Sequence, residues 1–221
     1  MDYIKKHRKI IICAISIIIF VIILRRVMIE EITTYDVDVY NLLVKSLRCE
    51  LLTFIMKFFT FLCSVLVLAF ICIFTLIFYN DKTKASLISI NLFINYLLNT
   101  LVKHIIRRPR PEGYRLIEEK GFSFPSGHAM VSMAFYGYIM YLIYKNEKVI
   151  WRRNLFCCIL FFIIIMIGVS RVYLGVHYAS DVLAGFFLSI AYLMLFITFS
   201  PKITSFIRER SKKWRRKRKE N

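Results

Sequence analysis

The chain has 221 residues, of which 58% are hydrophobic, and its mean hydropathy is +0.61. This composition excludes a soluble globular domain of this length and indicates a helical integral membrane protein. The net charge of +18 would suit a nucleic-acid partner, but the basic residues are distributed as in membrane topology signals. Five of the six cysteines fall within apolar stretches, so the sequence predicts neither a disulfide framework nor a cysteine metal site.

Apolar stretches predict six transmembrane helices, which we expect to form an antiparallel bundle in a single domain, residues 1–221. The first stretch follows a basic N-terminus but precedes no small-residue cleavage site, so it is interpreted as a span and not as a removed signal peptide. The predicted fold class is therefore an all-α integral membrane protein. The six predicted spans are residues 10–24, 58–79, 86–102, 129–144, 155–169 and 182–199.

Between the first two predicted spans, residues 30–50 mix acidic residues with apolar residues that are mostly three or four positions apart. This pattern predicts an amphipathic helix at the membrane interface. The favoured interpretation is a connector that lies on the bilayer. The alternative is that the segment borders the opening through which a lipid headgroup reaches a site.

The third predicted span carries a polar residue at every fourth position, at Asn91, Asn95, Asn99 and Lys103. In a helix of about 3.6 residues per turn these side chains form one stripe. Amides exposed to acyl chains would lack hydrogen-bond partners, so the stripe is expected to face other helices or a wet cavity. Interhelical hydrogen bonds are favoured for the three Asn residues, whereas Lys103, at the end of the stripe, can enter a site.

The distribution of Lys and Arg predicts how the spans are oriented. The N-terminus, the loops that begin at Asn80 and Lys145, and the tail carry most of these residues, so the positive-inside rule places both termini in the cytoplasm. Residues 103–128 and 170–181 then share the extracytoplasmic side of the plasma membrane. The basic cytoplasmic tail, residues 202–221, is expected to hold anionic lipid or to fix the topology. RNA binding is less favoured, because no aromatic stacking platform accompanies the tail.

Three cationic side chains are expected where the outer ends of the last four spans meet. Lys103, Arg110 and Arg171 bring more positive charge than a small pocket would hold without an anion, and a phosphate fits. Ser126 and Gly127 stand where the fourth span begins, so Ser126 can cap the helix while backbone N–H groups face the same anion. Such a cationic cage supplies the charge neutralisation that metal ions give elsewhere, so no metal and no cofactor is expected.

Two histidines complete the predicted site. His177 precedes Asp181 by four residues, so in a helix the carboxylate can orient the imidazole. We expect His177 to attack phosphorus in line and to carry the phosphoryl group. His128 has no adjacent carboxylate and is expected to protonate the leaving oxygen, then to activate the water that hydrolyses the phosphohistidine. An ordinary interfacial hydrogen bond between His177 and Asp181 is the structural alternative.

Three further arginines have two open interpretations. Arg107, Arg108 and Arg115 could reach a second phosphate of a diphosphate headgroup, or they could contact the phosphates of surrounding lipids. His104 is interpreted as an interfacial residue, because the sequence places no partner beside it.

Three motifs in this chain resemble those of the type 2 phosphatidic acid phosphatase superfamily. Residues 103–111, KHIIRRPRP, match a Lys followed by six residues and Arg-Pro, and residues 124–129, FPSGHA, contain PSGH. Residues 170–181, SRVYLGVHYASD, match Ser-Arg, five residues, His, three residues and Asp. The resemblance covers about the last two-thirds of the chain, with the core motifs in residues 103–181. It implies phosphate binding by Lys103, Arg110, Ser126, Gly127 and Arg171, acid–base catalysis by His128, and a His177 nucleophile with Asp181.

The resemblance implies a lipid phosphatase that removes a terminal phosphate at the outer leaflet. The six-span bacterial members that the chain resembles act on undecaprenyl diphosphate and phosphatidylglycerophosphate, and the sequence does not select between these two. The expected partners are therefore a lipid phosphate or diphosphate and the membrane lipids, not nucleic acid.

Three other activities are compatible with parts of this pattern. A phosphotransferase would pass the phosphoryl group from His177 to a lipid acceptor in place of water. A vanadium haloperoxidase would hold vanadate in the same cage, but those enzymes resemble soluble proteins, unlike a chain with six hydrophobic spans. A non-catalytic protein that binds or transports lipid headgroups would not need the oriented nucleophile that His177 and Asp181 suggest.

Overall fold

A computed structural model of the chain describes residues 2–113 and 115–220, with side chains for residues 7–113 and 115–210. Within these residues the chain forms eight α-helices and a π-helical turn, Asn41–Ser46, and no β-strand, so the predicted all-α class is confirmed. The helices are α1 (Asp2–Glu30), α2 (Thr34–Tyr40), α3 (Glu50–Phe61), α4 (Val65–Phe78), α5 (Lys82–Ile106), α6 (Gly127–Asn146), α7 (Ile150–Tyr173) and α8 (Ala179–Glu220).

Four of the described helices, α1, α5, α7 and α8, are long and apolar enough to cross a membrane, and α3 with α4 forms a fifth candidate that is bent by 45°. The predicted count of six spans is not confirmed. The missing candidate is α6, whose 20 residues include His128, Ser132 and four tyrosines. Because α6 packs against α5, α7 and α8, most of its surface faces other helices and does not need to match the hydrophobicity of lipid.

The second predicted span, residues 58–79, is interrupted in the structure between α3 and α4. Ser64 starts α4 as its N-cap, with its hydroxyl oxygen accepting the Val67 N–H at 3.4 Å. The Leu62 carbonyl, which the break frees, accepts the Tyr136 hydroxyl at 2.6 Å. The break therefore leaves this carbonyl satisfied by a residue of α6, a partner that the apolar pattern of the span does not reveal.

The Asn stripe of α5 makes the interhelical hydrogen bonds that the sequence predicts. Asn91 donates to the Ala134 carbonyl at 2.8 Å, and Asn95 donates to the Ser189 hydroxyl at 3.0 Å. Both Asn side chains are buried. These bonds hold α5 against α6 and α8. They therefore also determine where Lys103, at the end of the stripe, is placed.

Close packing of α8 on the start of α6 positions the two predicted motifs that these helices carry. At Gly185 an added methyl group would lie 3.0 Å from the Ser126 carbonyl oxygen and 3.1 Å from the Ala129 side chain. A larger residue would push the two helices apart at this point. The Ser126 N–H also donates to the Asp181 carbonyl at 3.0 Å, so the first turns of α6 and α8 are joined.

Only part of the predicted amphipathic segment, residues 30–50, is α-helical. Its helix α2 begins with a capping box, in which Thr33 and Asp36 exchange side-chain to backbone hydrogen bonds at 3.1 and 3.3 Å. Helix α2 packs on α8, and Asp36 is only 1% exposed. Placement at the membrane interface stays a prediction. The predicted basic tail, residues 202–221, continues α8, and its side chains beyond residue 210 lie outside the described residues.

Candidate active site

A cavity of about 620 Å³ opens between α4, α5 and α6 and ends at the two predicted catalytic histidines. Its wall is apolar along α4 and α5 and polar at the end formed by α6 and the connections around it. Five of the eight predicted site residues line the cavity. These are Lys103, Arg110, Gly127, His128 and His177.

Each of two predicted phosphate-binding cations is held by backbone carbonyls of the connection between α5 and α6. Lys103 Nζ donates to the Phe122 carbonyl at 2.8 Å. The Arg110 guanidinium donates to the Gly121 and Lys120 carbonyls at 3.0 and 3.1 Å. These carbonyls are neutral acceptors, so they hold both side chains in place without cancelling their charge.

The third predicted cation, Arg171, forms an ion pair with Glu119. Arg171 is 1% exposed, and its other terminal nitrogen donates to Thr60 on α3. The second carboxylate oxygen of Glu119 lies 3.7 Å from Arg110. A carboxylate therefore occupies the space between two of the three proposed phosphate ligands.

Ser126 has the structural role that the sequence predicts but only part of the predicted binding role. Its hydroxyl oxygen caps α6 by accepting the Ala129 N–H at 3.4 Å. Its backbone N–H, which we expected to face the anion, donates instead to the Asp181 carbonyl. The next residue, Gly127, lines the cavity, so the backbone of the first turn of α6 does reach the site.

His177 lies just before α8 and is held on both sides of its ring. Its Nδ1 lies 3.4 Å from Asp181 Oδ2, and its Nε2 lies 3.2 Å from Arg110 Nη1. Burial, with the charges of Arg171, Arg110 and Lys103, lowers the pKa of His177 well below its ordinary value. A neutral ring with its proton on Nδ1 satisfies both neighbours and leaves the lone pair of Nε2 on the side of the cations.

His128 stands in the first turn of α6 and lines the same cavity as His177. Its position is fixed through the backbone, since its carbonyl accepts the Cys63 thiol at 3.6 Å across the break between α3 and α4. The predicted acid–base residue and the predicted nucleophile thus come from different helices and meet at one cavity.

Two buried partners of the predicted catalytic pair lie where sequence reasoning did not place them. Arg108 binds Asp181 Oδ1 at 2.6 Å and Asp36 Oδ2 at 3.0 Å. Both interpretations that we gave to Arg108, contact with a second phosphate or with lipid phosphates, are therefore wrong, because its terminal nitrogens are bound to buried acids. Asp36 gave no signal as a site residue, since it lies in a segment that resembles an amphipathic connector.

Arg107 and Arg115 are also engaged with the backbone. Arg107 donates to the His104 carbonyl at 2.9 Å, and Arg115 donates to the Pro111 carbonyl at 2.7 Å. Arg107 and His104 are exposed. The interfacial position of His104 stays a prediction.

The sequence model of the PAP2 superfamily matches residues 84–205, which is more than half of the chain. The chain therefore belongs to the PAP2 superfamily, and the resemblance that its three motifs suggested is confirmed. A similar relative is phosphatidylglycerophosphatase B of Bacillus subtilis (strain 168), 37% identical over 131 residues. The matched stretch covers 58% of this chain and 64% of that relative, slightly less than two thirds of its length.

Two solved structures are similar to this fold. A transmembrane PAP2-type phosphatidylglycerolphosphate phosphatase from Bacillus subtilis matches with a TM-score of 0.77 at 28% identity, over 86% of this chain and 96% of that one. LpxE of Aquifex aeolicus matches with a TM-score of 0.58 at 26% identity, over 72% of this chain and 93% of that one. With its membrane-spanning helices, the chain is a multi-pass membrane protein.

Proposed function

We propose that this protein is a membrane lipid phosphatase that removes a terminal phosphate from a lipid phosphate or diphosphate. The observation that carries the proposal is the position of His177, buried between Asp181 and Arg110 at the polar end of a largely apolar cavity. A lipid with a phosphate headgroup has the same division into a charged end and an apolar body.

The proposed reaction has two steps. In the first, His177 Nε2 attacks phosphorus in line, the bond from phosphorus to the leaving oxygen breaks, and protonated His128 gives that oxygen its proton. In the second, His128 takes a proton from water, whose oxygen attacks the phosphohistidine and releases inorganic phosphate. Asp181 holds the Nδ1 proton of His177 and stabilises the positive charge that the ring carries as a phosphohistidine.

Charge on the transferred group is neutralised by the protein itself. Lys103, Arg110 and Arg171 bind the equatorial phosphate oxygens, with the backbone at Gly127 as a further donor. Because three cations converge, the proposed reaction needs neither a metal ion nor a cofactor. A phosphotransferase differs only in the second step, where a lipid hydroxyl replaces water.

The apolar wall of the cavity supports a lipid substrate. Leu68, Leu92 and Phe93, from α4 and α5, line the part that leads away from the histidines. An acyl or prenyl chain could lie on this surface in apolar surroundings like those of the bilayer while its phosphate reaches the histidines. The lipid we propose first is phosphatidylglycerophosphate, because the similar proteins from Bacillus subtilis carry that activity in their names. Undecaprenyl diphosphate is the second candidate.

We further propose that the protein is a single domain with six spans, and that α6, the fourth in chain order, completes this number. Both termini then lie in the cytoplasm and the site faces the extracytoplasmic side. The charges support this orientation, since Lys82 and Lys84 in the first turn of α5 and Lys145 in the last turn of α6 lie at the helix ends opposite the histidines.

The proposal is tested by measuring phosphate release from phosphatidylglycerophosphate and undecaprenyl diphosphate by protein purified in detergent with EDTA. We expect release from at least one lipid, loss of release in His177→Ala, and retention in His104→Ala, an exposed histidine near the same face. Absence of release by folded wild-type protein, or equal release by the His177 variant, contradicts the hydrolase proposal.

A further inference from the structure

Arg108 lies between two buried carboxylates that come from distant parts of the chain. One terminal nitrogen binds Asp181 Oδ1 at 2.6 Å, and the other binds Asp36 Oδ2 at 3.0 Å. Arg108, Asp36 and Asp181 are 5%, 1% and 0% exposed. Because a buried charge without a partner is strongly unfavourable, removal of Arg108 would leave two buried carboxylates without their cation.

Ser180 joins the same cluster from inside the turn that carries His177. Its N–H and its hydroxyl donate to the two carboxylate oxygens of Asp36 at 2.8 and 2.7 Å, and its hydroxyl oxygen accepts from Arg108 at 2.8 Å. The Arg108 guanidinium also lies 4.2 Å from the centre of the Tyr178 ring. The cluster therefore contacts residues on both sides of Ala179, at the start of α8.

The consequence for Asp181 is a fixed orientation of its carboxylate. Arg108 occupies Oδ1, which leaves Oδ2 to accept the Tyr178 N–H at 2.9 Å and to face His177 Nδ1 at 3.4 Å. Rotation of the carboxylate would break the 2.6 Å contact with Arg108. Arg108 thus holds the Asp181 carboxylate in an orientation in which one oxygen faces the proposed nucleophile.

Arg108 is not among the described residues that line the cavity, although its near neighbour Arg110 is. Its two terminal nitrogens are bound to Ser180, Asp181 and Asp36, so they are not available to a phosphate in the cavity. A direct contact between Arg108 and the transferred phosphate is therefore excluded by this geometry. What Arg108 can affect is the oriented acid behind His177.

We infer that Arg108 and Asp36 are positioning residues, which hold the Asp181 carboxylate against His177. Helix α2, which carries Asp36, thereby contributes to the phosphoryl-transfer step. The inference rests on the proposed function, and it assigns a role in that function to Asp36, a residue outside the stretch matched by the family model. Arg108 acts on Asp181 directly, and Asp36 acts by holding Arg108 and Ser180.

The test compares two variants with two matched controls in the phosphate-release assay. Arg108→Gln removes the guanidinium, and Asp36→Asn removes the charge of Asp36 with almost no change in size. The controls are the exposed neighbours, Arg107→Gln and Asp38→Asn. Because misplacement of a reacting group by about 1 Å can cost about 100-fold in rate, we expect kcat to fall about 100-fold in Arg108→Gln and about 10-fold in Asp36→Asn.

The division between kcat and KM separates a positioning role from a binding or purely structural one. The cage of Lys103, Arg110 and Arg171 is untouched, so KM and the inhibition constant of inorganic phosphate are expected to stay within about twofold of wild type. Both controls are expected to match wild type in kcat. If Arg108→Gln does not fold, as judged by thermal unfolding in detergent, the near-isosteric Asp36→Asn variant carries the test.

Three outcomes decide the inference. A loss confined to kcat in the two variants, with normal controls, supports it. An active wild type with unchanged kcat in Asp36→Asn and in folded Arg108→Gln, or with an effect on KM alone, overturns the positioning role and leaves the proposed function intact. A folded wild type that hydrolyses no lipid phosphate overturns the proposed function, and the positioning role with it.

Discussion

Glu119 competes for the cations that the proposed reaction needs. Its carboxylate pairs with Arg171 and lies 3.7 Å from Arg110, although the side chain itself is 29% exposed. A phosphate bound by the two arginines has to displace this carboxylate, because two anions cannot occupy the same space. Glu119 then lowers the apparent affinity for substrate and assists release of inorganic phosphate by returning to the arginines.

Replacement of Glu119 by Gln is expected to lower both KM and the inhibition constant of inorganic phosphate, each by about fivefold. The change corresponds to about 1 kcal/mol, the size expected for an ion pair that is partly open to solvent. Steady-state kinetics with added phosphate measures it, with Glu118→Gln, an exposed neighbour, as the control. Unchanged constants would show that the carboxylate does not compete with phosphate.

The environment of His177 predicts the acid limit of activity. Burial and three nearby cations lower its pKa well below the ordinary value of 6.5, so the ring is neutral at pH 6.5 and gains a proton only at lower pH. In the proposed reaction the neutral ring is the reactive form, so activity is expected to be retained as pH falls to 6.5 and to be lost only well below it. The acid limb of the pH profile of kcat/KM measures this, and a limb centred at or above 6.5 would be the opposite result.

Helix α5 joins the core to the site through its asparagine stripe. Asn95 donates to Ser189 on α8, and the Ser189 hydroxyl donates in turn to the Met130 carbonyl on α6 at 2.8 Å. The Ser189 side chain therefore links the three helices that surround the proposed nucleophile and acid. Asn91 and Asn95 act as structural members of the stripe, whereas Asn99 and Lys103, nearest its end, line the cavity.

Replacement of Asn95 by Ala is expected to lower the free energy of unfolding in detergent by about 1 kcal/mol, since the lost bond is buried among helices. Thr100→Ala is the control, because Thr100 lies on the exposed side of α5 and bonds only within its own helix. Thermal or denaturant unfolding of the purified variants measures the difference. Equal stability of the Asn95 variant and wild type would count against the structural role of the stripe.

The sequence was sufficient to predict those features whose signal lies in a short segment. The four-residue spacing of His177 and Asp181 and the periodic asparagines of α5 are of this kind, and the structure reproduces the contacts expected of both. The partners that were missed are remote in sequence. Arg108 meets Asp36 across 72 positions, and Glu119 meets Arg171 across 52. No periodicity or motif specifies such pairs, because they depend on how the helices pack.

Contacts between remote residues also explain why two features of the helices were not predicted from the sequence. The break between α3 and α4 was not predicted, because it falls within a largely apolar stretch. Ser64, which caps α4, and Tyr136, which donates to the freed Leu62 carbonyl, form no recognisable sequence pattern. Helix α6 shows the converse case. It is shielded by three neighbouring helices, so its polar residues weaken the hydropathy signal of a span without preventing it from packing in the bundle.

At the scale of the whole molecule, the proposal depends on orientation in the membrane. The histidines lie at one end of the bundle, and the helix ends that carry Lys84 and Lys145 lie at the other. If both termini are cytoplasmic, substrate arrives from the outer leaflet and inorganic phosphate leaves on the extracytoplasmic side. The opposite orientation would give the same chemistry access to a different pool of lipid.

Labelling of single cysteines in intact cells tests this orientation. In a background in which all six native cysteines are replaced by Ser, Glu112→Cys lies in the exposed connection beside the site and is expected to react with a membrane-impermeant thiol reagent. Asn80→Cys, in the exposed connection between α4 and α5, is expected to react only after the cells are permeabilised. The reverse pattern would place the site in the cytoplasm.

The central claim is that the phosphoryl group passes through His177, and a trapped intermediate tests it most directly. Protein mixed briefly with phosphatidylglycerophosphate labelled in its terminal phosphate is quenched in alkali, where phosphohistidine survives, and the labelled peptide is identified by mass spectrometry. We expect the label on His177 in wild type and in His104→Ala, and none in His177→Ala. A label on another residue, or turnover that persists in His177→Ala without any label, would contradict the account.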